Sequence, residues 1–164
     1  MADDASVPDV PAGEDGGLGA DEVLSAPPVV FPGQAASHES AYRVAHDLLS
    51  RRAPAEALAV LEPALESEPE NVGLRSLRAW AFLIRAQLRR AEEELREIVE
   101  QVPDDVWARH ALGRSLERQS RYADALPHLR LAAAMSGDPE HETAVLRVER
   151  RQAELGERSF DDLH

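Results

Sequence analysis

From Ala45 onward apolar residues return three and four positions apart, and the same succession of small and large apolar positions comes round every 34 residues. Ala45, Ala79 and Gly113 form a column of small residues, with a column of large ones, Leu48, Phe82 and Leu116, three positions later. A second stripe runs through Ala57, Leu61 and Ala64, recurring as Ala91, Leu95 and Ile98 and then as Ala125, Leu129 and Ala132. Spacings of four and three keep residues on one helical face, so each unit is predicted to hold two helices. The small residue of the first helix leaves room for its neighbour, and the large one fills the space between them. Turns are expected at Arg52-Ala53-Pro54, Ala86-Gln87-Leu88 and Ser120-Arg121-Tyr122, where Pro54 suits a first helical turn. Asn71 and Asp104 or Asp105 are placed to cap the helices that open the second and third units. Pro69 and Pro103 close the first two units, whereas Pro139 comes two residues late, after a longer exit through Ser136-Gly137-Asp138. The units are therefore 38–71, 72–105 and 106–139.

A stack of helix pairs leaves the last unit with an uncovered apolar face, which predicts a capping helix over 139–155. Asp138 and Pro139 suit its start, Glu140 and Glu142 its positive end, and Arg150 and Arg151 its negative end, with Val145, Val148 and Leu155 on one face. Gly156 is expected to stop it, leaving residues 157–164 as a flexible tail. The helical domain is thus expected over 38–156. Residues 1–37 differ in kind: they hold Asp3, Asp4, Asp9, Glu14, Asp15, Asp21 and Glu22 with no basic residue, and they are rich in proline and glycine. That composition predicts a disordered acidic arm. Gly17-Leu18-Gly19 has neither the preceding strand nor the further glycine or lysine of a phosphate loop. Val29-Val30-Phe31-Pro32 is the arm's one apolar run and reads either as linker or as an extended docking segment.

Charge and composition narrow the function. With 31 acidic against 18 basic residues and a formal charge of -13, the chain is ill suited to nucleic acid or an anionic membrane, so neither is expected as a partner. The absence of cysteine excludes disulfides, thiolate metal sites and cysteine nucleophiles. All 18 basic residues are arginine, which excludes side-chain Schiff bases. No leader-like or membrane-spanning apolar run is present, and a soluble, cytoplasmic location is expected.

The 34-residue helix–turn–helix with these small, large and proline columns resembles the tetratricopeptide repeat. The third unit is closest to that pattern, with Leu112-Gly113, Leu116, Tyr122, Ala125, Leu129 and Ala132. The second departs furthest, because Arg78 stands at the family's leucine, and the family's early tryptophan is replaced by Ala41, Arg75 and Arg109. The all-arginine, alanine-rich composition also resembles that of small actinobacterial members. The resemblance implies an all-α, right-handed superhelical array of three repeats plus the capping helix, with a concave groove lined by the first helices. Its groove columns fall on Tyr42, His46 and Leu49 in the first unit, Ser76, Leu77, Trp80 and Ile84 in the second, and Trp107, His110, Arg114 and Arg118 in the third. Trp80 with Arg114 and Arg118 is the preferred contact set, since Trp and Arg often anchor interfaces. Against this stand plainer readings: Trp80 wedged into the core, Trp107 stapling its helix entry, and Arg114 and Arg118 paired with local acids such as Glu117 or Glu149. One subfamily of the repeat holds carboxylate tails through a Lys, Asn and Arg clamp, but the matching places here are Tyr42, His46, Leu77, Trp107 and Ala111.

Catalytic motifs are absent from the sequence, and Glu92-Glu93-Glu94 reads as a solvated face. His46, His110 and His128 show no paired ligand spacing, so neither a metal nor a cofactor is expected. The expected function is a non-catalytic adaptor that takes a peptide or protein segment in its groove. The alternative is a self-associating structural protein, and a third reading folds the acidic arm back into the groove.

Overall fold

The apolar stripes become helices where the periodicity places them. The computed structural model describes Leu24, Ala26, Pro27 and residues 36–161, and among these described residues there are seven helices and no strand. They are α1 (Ala36–Ser50), α2 (Pro54–Ser67), α3 (Val72–Ile84), α4 (Leu88–Gln101), α5 (Val106–Arg118), α6 (Tyr122–Ser136) and α7 (Pro139–Asp161). Each packs on the next in sequence, and α1 also touches α3, so three helix pairs and a final helix form an all-α repeat array.

The turn within each pair is the same device used three times. Arg52, Ala86 and Ser120, 34 residues apart, take left-handed φ values of 61°, 54° and 60°. The following N–H reaches back to the large-column carbonyl, Ala53 to Leu48 at 2.8 Å, Gln87 to Phe82 at 2.9 Å and Arg121 to Leu116 at 3.0 Å. The left-handed residue itself donates to Leu49, Leu83 or Glu117. This pair of bonds satisfies carbonyls that a helix end leaves open, and it normally recruits glycine for the left-handed position. Here none of the three is glycine, so each turn carries a local strain that the packing of the pair holds in place. At the other end of the units, Asn71 Oδ1 accepts from the Leu74 N–H at 3.1 Å and Asp105 Oδ1 from the Ala108 N–H at 2.9 Å, so Asp105 rather than Asp104 is the cap.

Close approach within a pair sets the core. Ala45, Ala79, Leu61, Leu95, Leu116 and Leu129 have no more than trace exposure, and a Cβ on Gly113 would lie 2.6 Å from Cγ and Cδ2 of Leu129. The backbone of α5 therefore rests on the Leu129 side chain of α6, a contact only glycine allows at that separation.

Unit two replaces apolar columns with charge. Arg75 and Glu94 are buried, at 4% and 7% exposure. Arg75 Nε donates to Glu94 Oε1 at 2.5 Å and its NH2 group to Glu97, while Arg78 donates to the other Glu94 oxygen and reaches Glu62 at 3.4 Å. The network ties α2, α3 and α4 together. Burial by itself would lower the Arg75 pKa, but the hydrogen bonds and charges of Glu94 and Glu97 outweigh it and raise the value. Glu92 forms a second junction, accepting from Arg96, from Gln119 Nε2 at 2.9 Å and from Arg121 at 2.8 Å, so it joins α4 to the α5–α6 turn. Its desolvation, which alone would raise the carboxyl pKa, is overcome by these donors and the pKa falls. The expectation of a solvated Glu92-Glu93-Glu94 face is thus corrected: only Glu93 is exposed, because Glu94 meets two arginines of α3 and Glu92 meets Arg96 of its own helix and Arg121 of the α5–α6 turn.

Two boundaries differ from the sequence reading. Helix α7 continues past Gly156 to Asp161, since Gly156 does not adopt the left-handed geometry that ends a helix, as Gly137 does at φ 63°. In the arm, Leu24 and Ala26 pack against the hydrophobic core and Pro27 is buried. The Val29–Pro32 run, the rest of the arm's expected disorder and residues 162–164 lie outside the described residues.

Two stability outcomes follow from this packing. Ala86→Gly should raise the unfolding free energy by about 1 kcal/mol, the strain of a left-handed alanine relieved less the added chain entropy of glycine, as read from urea denaturation. Glu94→Ala should lower it by about 2–4 kcal/mol, because buried Arg75 is left with Glu97 alone to balance its charge.

Candidate functional site

The first helices α1, α3 and α5 carry the expected groove columns, and their side chains can be followed along the array. On α1, Tyr42 is 6% exposed and its ring stacks on His46 at 6.2 Å between centroids. The next helix accommodates it through Gly73, where an added Cβ would meet Tyr42 Cε2 at 3.3 Å. His46 is half-buried and its ring lies 5.9 Å from that of Trp80 on α3. Tyr42, His46 and Trp80 therefore form one aromatic run across α1 and α3. Burial also holds the Tyr42 hydroxyl above its ordinary pKa, so it is a neutral donor at neutral pH.

Burial reassigns several residues of the expected contact set. Leu49 and Leu77 are 1% and 0% exposed and belong to the core, because both point to neighbouring helices rather than to open surface. Trp80 is 6% and Trp107 8% exposed, and both join the same core cluster. On α3, Ser76, Trp80 and Leu83 follow at spacings of four and three and are all buried, a continuous covered face. Ile84 remains half-buried at the end of α3.

The basic end on α5 is internally bonded. Arg114 NH1 pairs with Glu117 Oε2 at 2.8 Å, and Glu117 also accepts from Arg147 of α7 at 2.7 Å. Arg118 NH1 donates to the Leu83 carbonyl at 2.9 Å and so fastens α5 to the end of α3. Arg114 and Arg118, four residues apart, are thus turned to different partners and do not converge on one carboxylate. Arg118 keeps an exposed position.

His110 is 8% exposed and its ring stacks on His141 of α7 at 4.1 Å. Its Nδ1 is buried with no hydrogen-bond partner among the described residues. Burial, then the His141 and Arg114 charges, push its pKa down to about 3. It therefore acts as a neutral packing ring between α5 and the capping helix. Sequence reading missed this contact and the Glu117–Arg147 clamp, since neither partner lies within one helical turn of the other. Among the described residues no group of three or more His, Asp or Glu is placed to hold a metal ion, and no helix is long and apolar enough to cross a membrane.

With this geometry in view, comparison with known proteins is direct. A family model described as tetratricopeptide repeat matches residues 48–116. Among solved structures, the TPR domain of Arabidopsis OM64 superposes with a TM-score of 0.66 at 19% identity, covering 70% of this chain and 95% of that one. MamA of AMB-1 superposes with a TM-score of 0.62 at 17% identity, covering 71% of this chain and 69% of that one. No curated protein matches the chain in sequence. Repeat register, the family match over residues 48–116 and the superposed structures agree on a tetratricopeptide-like array of helix pairs.

The His110 contact predicts a pH dependence of known sign. Its native pKa lies below the ordinary 6.5, so its contribution is complete above that value and lost as pH falls toward 3, with a slope of up to about 1.4 kcal/mol per pH unit. Urea midpoints taken between pH 7 and pH 4 should fall less steeply for His110→Leu than for the wild type.

Proposed function

We propose that the protein is a non-catalytic interaction scaffold whose α1–α3–α5 face receives a peptide or protein segment. The observation that carries the reading is the aromatic run Tyr42, His46 and Trp80, with half-buried Ile84 one helical turn beyond Trp80 and exposed Arg118 bonded to the neighbouring Leu83 carbonyl. Aromatic rings with an arginine at the rim are the surface that most often anchors a partner. The burial of Trp80 and Tyr42 makes them the floor of this face, and His46, Ile84 and Arg118 its accessible wall. The polar groups nearby hold one another in ion pairs and helix contacts, an arrangement that presents a surface rather than a nucleophile and its base. Tetratricopeptide neighbours with the same stacked helices support a scaffold of this class.

A second reading, self-association through the array's end, is favoured by a separate observation. Leu131, Met135, Leu146 and Leu155 of α6 and α7 are 41%, 39%, 62% and 49% exposed. At 23 residues, roughly 35 Å, α7 also outreaches the 13-residue α5 beneath it.

The two readings separate in one experiment on the full-length chain. His46→Glu with Arg118→Glu should abolish partner capture from the parent cell while leaving helical content and sedimentation unchanged. Leu146→Glu with Leu155→Glu should leave capture intact. Capture indifferent to the first pair, together with a concentration-dependent dimer lost with the second pair, would transfer the function to the array's end.

A further inference from the structure

Part of the arm is packed onto the core of the helical domain. Ser76, Trp80 and Leu83 are 5%, 6% and 5% exposed, with His46 of α1 beside Trp80 and Arg118 of α5 on the Leu83 carbonyl. In the arm, where composition argues for a solvated chain, Leu24 and Ala26 nevertheless pack against the core and Pro27 is buried, with none of the three in a regular element. A short apolar stretch leaves water only where a receiving apolar surface exists. The connection to the helical domain sets its range: residues 28–35 separate Pro27 from the first residue of α1, and eight extended residues span at most about 29 Å. That tether reaches the Tyr42–Trp80 run, which begins within the second turn of α1.

We propose that Leu24, Ala26 and Pro27 occupy the α1–α3 face as a resident ligand, and that the face is built for an extended, proline-containing segment of small and branched apolar side chains. The inference deepens the scaffold reading and rests on it only for the choice of face. The chemistry on the two sides matches. Tyr42, His46 and Trp80 offer flat rings, on which proline and leucine pack without leaving a buried polar group unpaired. Tethering makes the occupant a competitor. A link of eight residues holds it at an effective concentration on the order of 1 mM, so an external segment must bind more tightly than that to take its place.

Trp80 and Trp107 are the only tryptophans of the chain, so in a Trp107→Phe background the emission reports Trp80 alone. In the full-length protein, Leu24→Asp with Ala26→Asp should shift this emission to the red and make it more accessible to acrylamide, at unchanged far-ultraviolet dichroism. A milder variant, Leu24→Ser with Pro27→Gly, should do the same to a lesser degree. A synthetic peptide of the sequence of residues 20–31 should then reverse the shift in either variant, and should act at least tenfold more weakly on the protein with its own arm intact. Emission and quenching identical in the parent and both variants would overturn the proposal, as would a peptide that binds all three equally or none of them. Because these readouts need no outside partner, they fail independently of the capture experiment on His46 and Arg118.

Discussion

Two helices of a unit can bury their apolar stripes only if their backbones come close, and the small-residue column is what permits it. Where Gly113 faces Leu129 there is no space for even a methyl group. Alanine at positions 45 and 79 keeps the same column fully buried in the first two units. The close pairing in turn fixes the turns: a three-residue connection between helices so placed demands a left-handed residue, and Arg52, Ala86 and Ser120 accept that conformation without the help of glycine. Tertiary packing overrides local preference here, since a strained turn costs about as much as a single buried methyl contributes. The stack then follows, because a pair with one face closed still has another to cover, and each successive unit covers it.

How much of this could be read beforehand depended on the range of the signal. Columns at 34 residues, the turn positions and the caps at Asn71 and Asp105 are local or periodic, and they stand in the sequence plainly. Burial of charge is not local. Glu94 sits in a run of three glutamates, and nothing in that run tells that Arg75, 19 residues away, will meet it in the core. The same holds for Arg114 and Arg118, whose spacing suggests a shared anion but whose partners, Glu117 and the Leu83 carbonyl, are chosen by how α3, α5 and α7 stack. Gly156 shows the reverse: a residue type that often ends helices does so only when the backbone turns left-handed, and here it does not. For the aromatic columns, spacing gives the face on which Trp80 lies, while its exposure is decided by chain elsewhere.

A chain with a formal charge of -13 could be expected to present an acidic skin, yet several of its arginines sit at joints between helices. Arg78 bridges to Glu62, Arg121 to Glu92, Arg147 to Glu117 and Arg130 to Glu149, each joining helices that are not partners within a single turn. Guanidinium suits this work, because its planar fork can serve two carboxylates or one carboxylate twice. The individual exposed pairs contribute little to stability, but they link one helix of the array to another.

The buried Arg75–Glu94 pair in the middle unit also bears on how the chain finds its own order. A protein made of three like units faces a hazard that an irregular fold does not: one unit can take its neighbour's seat, shifting the chain by a full repeat or exchanging with another molecule. Units one and three have Ala41 and Arg109 where the middle unit has Arg75, and they lack a glutamate in register with Glu94, carrying Val60 and His128 there instead. A misplaced neighbour would therefore leave a buried charge without its counterpart. The central repeat is thus set apart from its neighbours: a unit shifted into its seat would bring no glutamate to meet a buried arginine there.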